Sequence, residues 1–302
     1  MRMKKILTFT FCCVLFCAST FAQRSPISPK PISNANNNSG NAGKNFEHTE
    51  GQYQSINGVN IYFEMYGEGE PLLLIHDNNG SVESFNSQIN FLSKKFKVIV
   101  VDSRGQGKST LNKDSLSYEQ MSDDYYLLLE KLELDSVNIF GWGDGGKIGL
   151  LLAINYPQKV KSLAILGTSL SGDTTALQST AIAQINDNIK AAKDSIKAGN
   201  LEYKNVLRLL NLQINQYAID PELLVNITAP VLIVIGDKDN VKLAHTVAIY
   251  EAIPNAQLSV MPGTTHQLPK EVTMQFNNML LRFYTKSNPK PGTNKMNPEG
   301  DN

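Results

Sequence analysis

The hydrophobic pattern divides the middle of the chain into strand-like and helix-like runs that alternate. Short, almost uninterrupted apolar runs occur at 72–75, 98–101, 137–140, 163–166, 231–235 and 258–261. Runs of this kind suit strands buried on both faces of a sheet. Between them, apolar residues recur at helical spacing over 82–92, 117–132, 147–155 and 272–283. Ahead of this series, residues 53–56 and 59–63 flank Asn57-Gly58, a dipeptide suited to a tight hairpin because both residues tolerate positive φ. The alternation predicts an α/β domain with a mostly parallel sheet covered by helices, binding ligands beyond the carboxyl ends of its strands.

One stretch breaks the alternation. Residues 173–226 carry two or three amphipathic helical patterns (among them 182–197 and 201–214) and no strand. Their position predicts a small helical lid arching over the strand ends. Both chain ends also fall outside the pattern. Residues 23–50 and 286–302 are rich in Asn, Pro, Gly, Ser and Lys without apolar periodicity, and read as a disordered linker and tail. Residues 1–22 run from basic (Arg2, Lys4, Lys5) through apolar to small (Thr20, Ala22), the order of a signal peptide. The apolar run is shorter than the roughly 20 residues of a membrane span. These boundaries leave residues 51–285 as one domain. They predict an exported protein, periplasmic or secreted, with no membrane attachment after cleavage.

The chain has 302 residues, 41% hydrophobic and 19% charged, which is ordinary for a soluble globular domain with extra segments. All three cysteines (Cys12, Cys13, Cys17) lie in the leader, so the processed chain would carry no thiol nucleophile, disulfide or cysteine metal site. Basic and acidic residues balance at 28 each without a basic patch, so nucleic acid is not an expected partner. Gly105-Gln106-Gly107 is too short for a phosphate loop and the four histidines do not cluster, so neither cofactor nor metal is expected.

Candidate chemistry concentrates at Gly141-Trp142-Gly143-Asp144-Gly145-Gly146, between a predicted strand and a predicted helix. Small residues two before and two after a central position mark a sharp turn at which strand and helix backbones nearly touch. That register centres on Gly143. Centring on Asp144 instead would put Trp142 into a slot with room only for a small residue.

The ordered motifs resemble the α/β-hydrolase family, particularly its small esterase, valacyclovirase-like and aminopeptidase-like members. They are Leu73-Leu74-Ile75-His76-Asp77-Asn78-Asn79-Gly80-Ser81, the turn Asp102-Ser103-Arg104-Gly105-Gln106-Gly107-Lys108-Ser109, the 141–146 elbow, Gly236-Asp237-Lys238-Asp239 and Pro262-Gly263-Thr264-Thr265-His266. The resemblance implies an α/β-hydrolase fold and ester or amide hydrolysis by serine, histidine and acid. It assigns His266 as general base and Asp239 as its orienting acid. The backbone N–H groups of Asn78 and Asp144 become the oxyanion donors, and Gly143 stands in the serine position. Two positions depart from the family. Gly143 has no hydroxyl, and Asp77 replaces a glycine, bringing a carboxylate into a loop that should receive developing negative charge.

The remaining histidines read as bland: His76 structural, His245 and His48 without signal; Asp237 reads as solvated. Three readings follow: one is sequence error or drift, with ester hydrolysis left as the family name only, and two are functional. One is a pseudo-hydrolase holding a small ligand under the lid without acyl transfer. The other is an active hydrolase of altered mechanism, in which His266 acts as base on water, or Asp144 or Asp77 participates. Relatives with an aspartate nucleophile carry it in the slot held here by Gly143, one residue before Asp144. Because base, acid and donors are in place, the sequence predicts that Gly143→Ser alone switches on ester hydrolysis.

Overall fold

The computed structural model describes residues 47–48, 51–112, 116–215 and 218–285. The predicted signal peptide, most of the linker and the tail lie outside the described residues. Eight strands form one sheet: β1 (Gln52–Ile56), β2 (Val59–Tyr66), β3 (Glu70–Ile75), β4 (Phe96–Val101), β5 (Val137–Trp142), β6 (Val160–Leu166), β7 (Val231–Gly236) and β8 (Ala256–Met261). Their spatial order is β1-β2-β4-β3-β5-β6-β7-β8. β2 runs antiparallel to β1 and β4, and every other neighbouring pair is parallel. The β1–β2 turn falls on Asn57 (φ 45°) and Gly58 (φ 73°), as the sequence predicts.

Strand side chains alternate between two cores. Leu72 and Leu74 of β3 face one, Leu73 and Ile75 the other, and all four are fully buried. The helices are α1 (Asn86–Leu92), α2 (Tyr118–Lys131), α3 (Asp144–Asn155), α4 (Ser179–Lys197), α5 (Tyr203–Asn215), α6 (Leu243–Ala252), α7 (Leu268–Glu271) and α8 (Thr273–Thr285). α2, α3 and α6 close the first core with Leu128, Ile148 and Ile249, whereas α1 and α8 close the second with Ile89 and Phe276. Each such side chain, fully buried, stabilises the fold by about 1.5–3 kcal/mol.

Three departures from the predicted elements have local causes. The 82–92 pattern begins as a 3-10 turn, Val82–Phe85, capped by the Ser81 side chain, before α1. α3 starts three residues early, because Gly145 and Gly146 sit inside its first turn. α6, where the segment around His245 reads as helical, had no bounds in the pattern: apart from Thr246 and Ile249 its residues are not fully buried, which leaves too little periodicity. The 173–226 segment is helical as expected, with α4, α5 and a 3-10 turn at Pro221–Asn226.

The Asp102–Ser109 turn is anchored by a buried ion pair. Arg104 donates from Nε and Nη2 to the two oxygens of Asp124 on α2, at 2.6 and 2.7 Å, and Asn57 adds a third bond to Asp124 at 2.9 Å. Arg104 and Asp124 side chains are 1% and 3% exposed, so neither charge has water to turn to. Asp124→Ala should therefore destabilise the protein by about 3–5 kcal/mol, read as a shift in the urea unfolding midpoint, because it leaves Arg104 buried and unpaired.

Candidate active site

The site grows from the junction of β5 and α3. A Cβ at Gly141 would strike the backbone of Gly145, and one at Gly145 would strike the carbonyl of Ile75, so strand, helix and β3 meet here without room for side chains. Gly143 bridges strand and helix at φ 55°, ψ −115°, a conformation that is strained for residues with a Cβ. Its N–H donates to the Leu166 carbonyl at 2.8 Å, fixing the turn to β6.

The loop after β3 brings the least expected feature. Asp77 turns inward, and a Cβ built on Gly143 would run into its carboxylate. Asp77 Oδ1 accepts the backbone N–H of Asp144, the first residue of α3, at 2.9 Å. Its Oδ2 lies 3.1 Å from Nε2 of His266. The preceding residue, His76, is structural as expected. Its Nδ1 donates to the Asp77 carbonyl (2.7 Å) while Nε2 accepts from Ser103 N–H (3.0 Å), and burial pushes its pKa down.

The loops after β7 and β8 complete the arrangement. Asp239 is buried, accepts Val241 N–H at 3.0 Å, and lies 2.9 Å from His266 Nδ1. Asp237 is exposed and bonds only Gly263 N–H (2.8 Å) among the described contacts. Trp142 at the end of β5 donates from Nε1 to the His266 carbonyl at 3.0 Å, tying the histidine loop to the elbow strand. The sequence-predicted pair His266–Asp239 is thus brought together. The Nε2 that the general-base assignment would direct at position 143 instead meets Asp77.

The other two predicted residues, Asn78 and Asp144, do different work with their side chains. The Asp144 carboxylate is taken up by Tyr118 Oη (2.5 Å), Asn78 Nδ2 (2.9 Å) and the buried ammonium of Lys147 (3.6 Å). Asn78 Nδ2 also donates to the Leu209 carbonyl of α5 (3.0 Å), and Asn205 of α5 donates to the Gly105 carbonyl (2.5 Å). The helical insertion is therefore fastened to the loops after β3 and β4. Tyr118 and Lys147 escaped sequence reasoning because a tyrosine and a lysine on helices read as surface or core residues; only their shared contact with Asp144 marks them. His48 escaped it as well. It binds buried Glu64 at 2.7 Å, so the predicted linker is anchored at that point. Among the described residues, no group of three or more His, Cys, Asp or Glu is arranged to hold a metal ion.

Electrostatics follow from this geometry. Burial alone would lower the pKa of His266, but the charges and hydrogen bonds of Asp239 and Asp77 outweigh it and raise the value well above 6.5. Burial works to raise the pKa of Asp77. The hydrogen bond and charge of His266, with the N–H groups of Asp144 and Asn78, prevail and lower it. Asp239 and Asp77 on its two nitrogens thus both favour the protonated form of His266. A histidine in that state has no free lone pair and is no base until one carboxylate leaves or loses its charge.

Residues 70–190 match the model of the α/β hydrolase fold. Human serine hydrolase BPHL is 27% identical over 245 residues, covering 76% of this chain and 84% of its own. The putative carbamate hydrolase RutD of Caulobacter sp. (strain K31) is 26% identical over 256 residues, covering 74% and 95%. Among solved structures, a hydrolase from Pseudomonas aeruginosa PA01 superposes with a TM-score of 0.66 at 19% identity, covering 78% of this chain and 99% of that one. The enol-lactonase from Burkholderia xenovorans LB400 superposes with a TM-score of 0.64 at 20% identity, covering 78% and 100%.

This chain has the α/β-hydrolase fold. Within this fold the three loops after β3, β7 and β8 deliver Asp77, Asp239 and His266 to one point at the carboxyl edge of the sheet. The raised pKa of His266 makes a testable demand. A group whose folded pKa exceeds its unfolded value stabilises the fold fully below the unfolded pKa. That contribution disappears as pH rises through the folded value. Unfolding free energy from urea titrations should therefore decline above pH 6.5, and His266→Gln should flatten that decline.

Proposed function

We propose that this α/β hydrolase is an exported protein in which serine acyl transfer is extinct: Gly143 stands in the nucleophile position, and the Asp77 carboxylate has taken the vacated space. Toward esters and amides it is a pseudo-hydrolase whose pocket, beneath a lid formed by α4 and α5, receives a small ligand. The observation that carries the reading is the position of Asp77. Its carboxylate fills the volume of a side chain at 143, accepts the Asp144 N–H that would bind an oxyanion, and engages the nitrogen of His266 that would activate a hydroxyl. A fixed anion there opposes a tetrahedral oxyanion, so the second change reinforces the first.

Of the altered-mechanism alternatives, the contacts favour participation by Asp77 over Asp144. The Asp144 carboxylate is taken up by Tyr118, Asn78 and Lys147, whereas the Asp77 side chain keeps 30% exposure.

This reading revises the expectation for Gly143→Ser. The new Cβ meets Asp77 and sits at positive φ, so the single variant should lose on the order of 1–3 kcal/mol of stability and remain inactive. The double variant Asp77→Gly/Gly143→Ser frees the Asp144 N–H and His266 together. It should hydrolyse p-nitrophenyl acetate at least about 10³-fold faster than wild type, which lacks the serine step. It should also be labelled by a fluorophosphonate to which wild type is inert. Labelling of wild type, or a folded double variant that stays inactive, refutes the reading. Export is tested separately by N-terminal sequencing of secreted material, which should begin at Gln23.

A further inference from the structure

α6 carries its polarity the wrong way round for a surface helix. Its histidine and threonine face the domain: His245 Nε2 accepts the Leu170 N–H at 3.0 Å, and Thr246 is buried. Leu243, Ala244, Ala248 and Tyr250 are exposed instead, with Val247 half-buried among them. Helical spacing gathers these five on the outer face. A helix that ends its packing at solvent has the opposite arrangement. The neighbouring 3-10 turn, Pro221–Asn226, packs against α6 and adds exposed Leu223 and Val225, the latter at 61%. We infer that this face docks a second copy of the chain, with α6 lying antiparallel on α6 about a two-fold axis. The inference does not depend on the reading of the site given above.

Charge complementarity selects a second copy as the occupant. Glu251 is the only carboxylate in α6, and it lies exposed in the last turn, where the helix dipole disfavours a negative charge. At the other end, Lys242 occupies the N-cap position and gives the first turn no side-chain hydrogen bond. Its ammonium is drawn away to the Thr174 carbonyl at 2.5 Å. An antiparallel pair centred on Val247 puts Leu243 opposite Glu251 of the partner subunit. Each Glu251 then sits beside the uncapped, positive end of the facing helix. The same register sets Tyr250 against Ala244 of the partner subunit, large against small, and Val247 against itself. A parallel pair would instead stack the two carboxylates on each other.

The size of the face bounds the affinity. A helix of this length runs about 15 Å, and its stripe alone falls short of the roughly 800 Å² that each partner gives to a stable dimer. Leu223 and Val225 widen the face. The expected dissociation constant is on the order of 1–10 µM, the weak end for an interface of ordinary size.

Sedimentation velocity of the full processed chain from about 1 to about 100 µM tests this, because mass action should carry it from one chain mass to two. Leu243→Glu sets a carboxylate against Glu251 of the partner subunit and should weaken the dimer at least about 10-fold, whereas Leu243→Lys supplies a cation there and should keep or tighten it. Leu243 is exposed, so both variants should fold as wild type. Because all three cysteines leave with the leader, single cysteines report the register cleanly. Val247→Cys should join two copies by a disulfide under mild oxidation. Leu243→Cys should not, since its counterpart lies roughly 12 Å away along the axis, beyond disulfide reach. Folded wild type that stays at one chain mass throughout, whether the face is bare or covered by another segment of its own chain, overturns the inference. So does a dimer that Leu243→Glu and Leu243→Lys alter alike, or one that cross-links through position 243 in preference to 247.

Discussion

A carboxylate drawn away from bulk water stays ionised only where its charge is answered, and the site is organised around answering Asp77. The start of α3 offers a backbone N–H, reinforced by the positive end of the helix dipole, and His266 offers a shared proton. Each partner is in turn constrained. His266 holds its proton because a second carboxylate, Asp239, sits on its other nitrogen. Position 143 must lack a side chain because the Asp77 carboxylate occupies the space beside it. The charge on one residue thus sets the protonation of a second and the allowed size of a third.

The same loop couples this charge network to the helical insertion. Asn78, next to Asp77, divides its amide between the Asp144 carboxylate and a carbonyl of α5. Movement of α5 away from the sheet would release that amide. Asp144 would keep Tyr118 and Lys147, so its own charge would remain met. The backbone N–H of Asp144 and its side chain serve different networks, and only the side chain is reached through Asn78.

Much of the fold was legible in the sequence because sheet burial writes itself as continuous apolar runs. All six runs became strands, and Asn57-Gly58 became the hairpin turn. α6 was legible only as a helical segment around His245, without bounds, because only two of its residues are fully buried. Within the site, the meeting of His266 and Asp239 was legible from the loops that carry them. The inward turn of Asp77 was not. Its direction depends on hydrogen bonds to residues 67 and 189 positions away in sequence, which no local pattern encodes. For the same reason His48 looked inert: its partner Glu64 is identified as buried only once Tyr62 and Tyr66 are seen to donate to it.

The steric exclusion between positions 77 and 143 imposes an order on descent. While any side chain stands at 143, an aspartate at 77 cannot dock, so its charge goes unanswered near the elbow and selection has reason to remove it. Glycine at 143 carries no such conflict, whatever stands at 77. Of single changes at the two positions, only the removal of a side chain at 143 is free of this steric conflict. With both in place, a side chain added at 143 alone is obstructed, so the two positions can change safely only together: a latch made of one absent Cβ and one carboxylate.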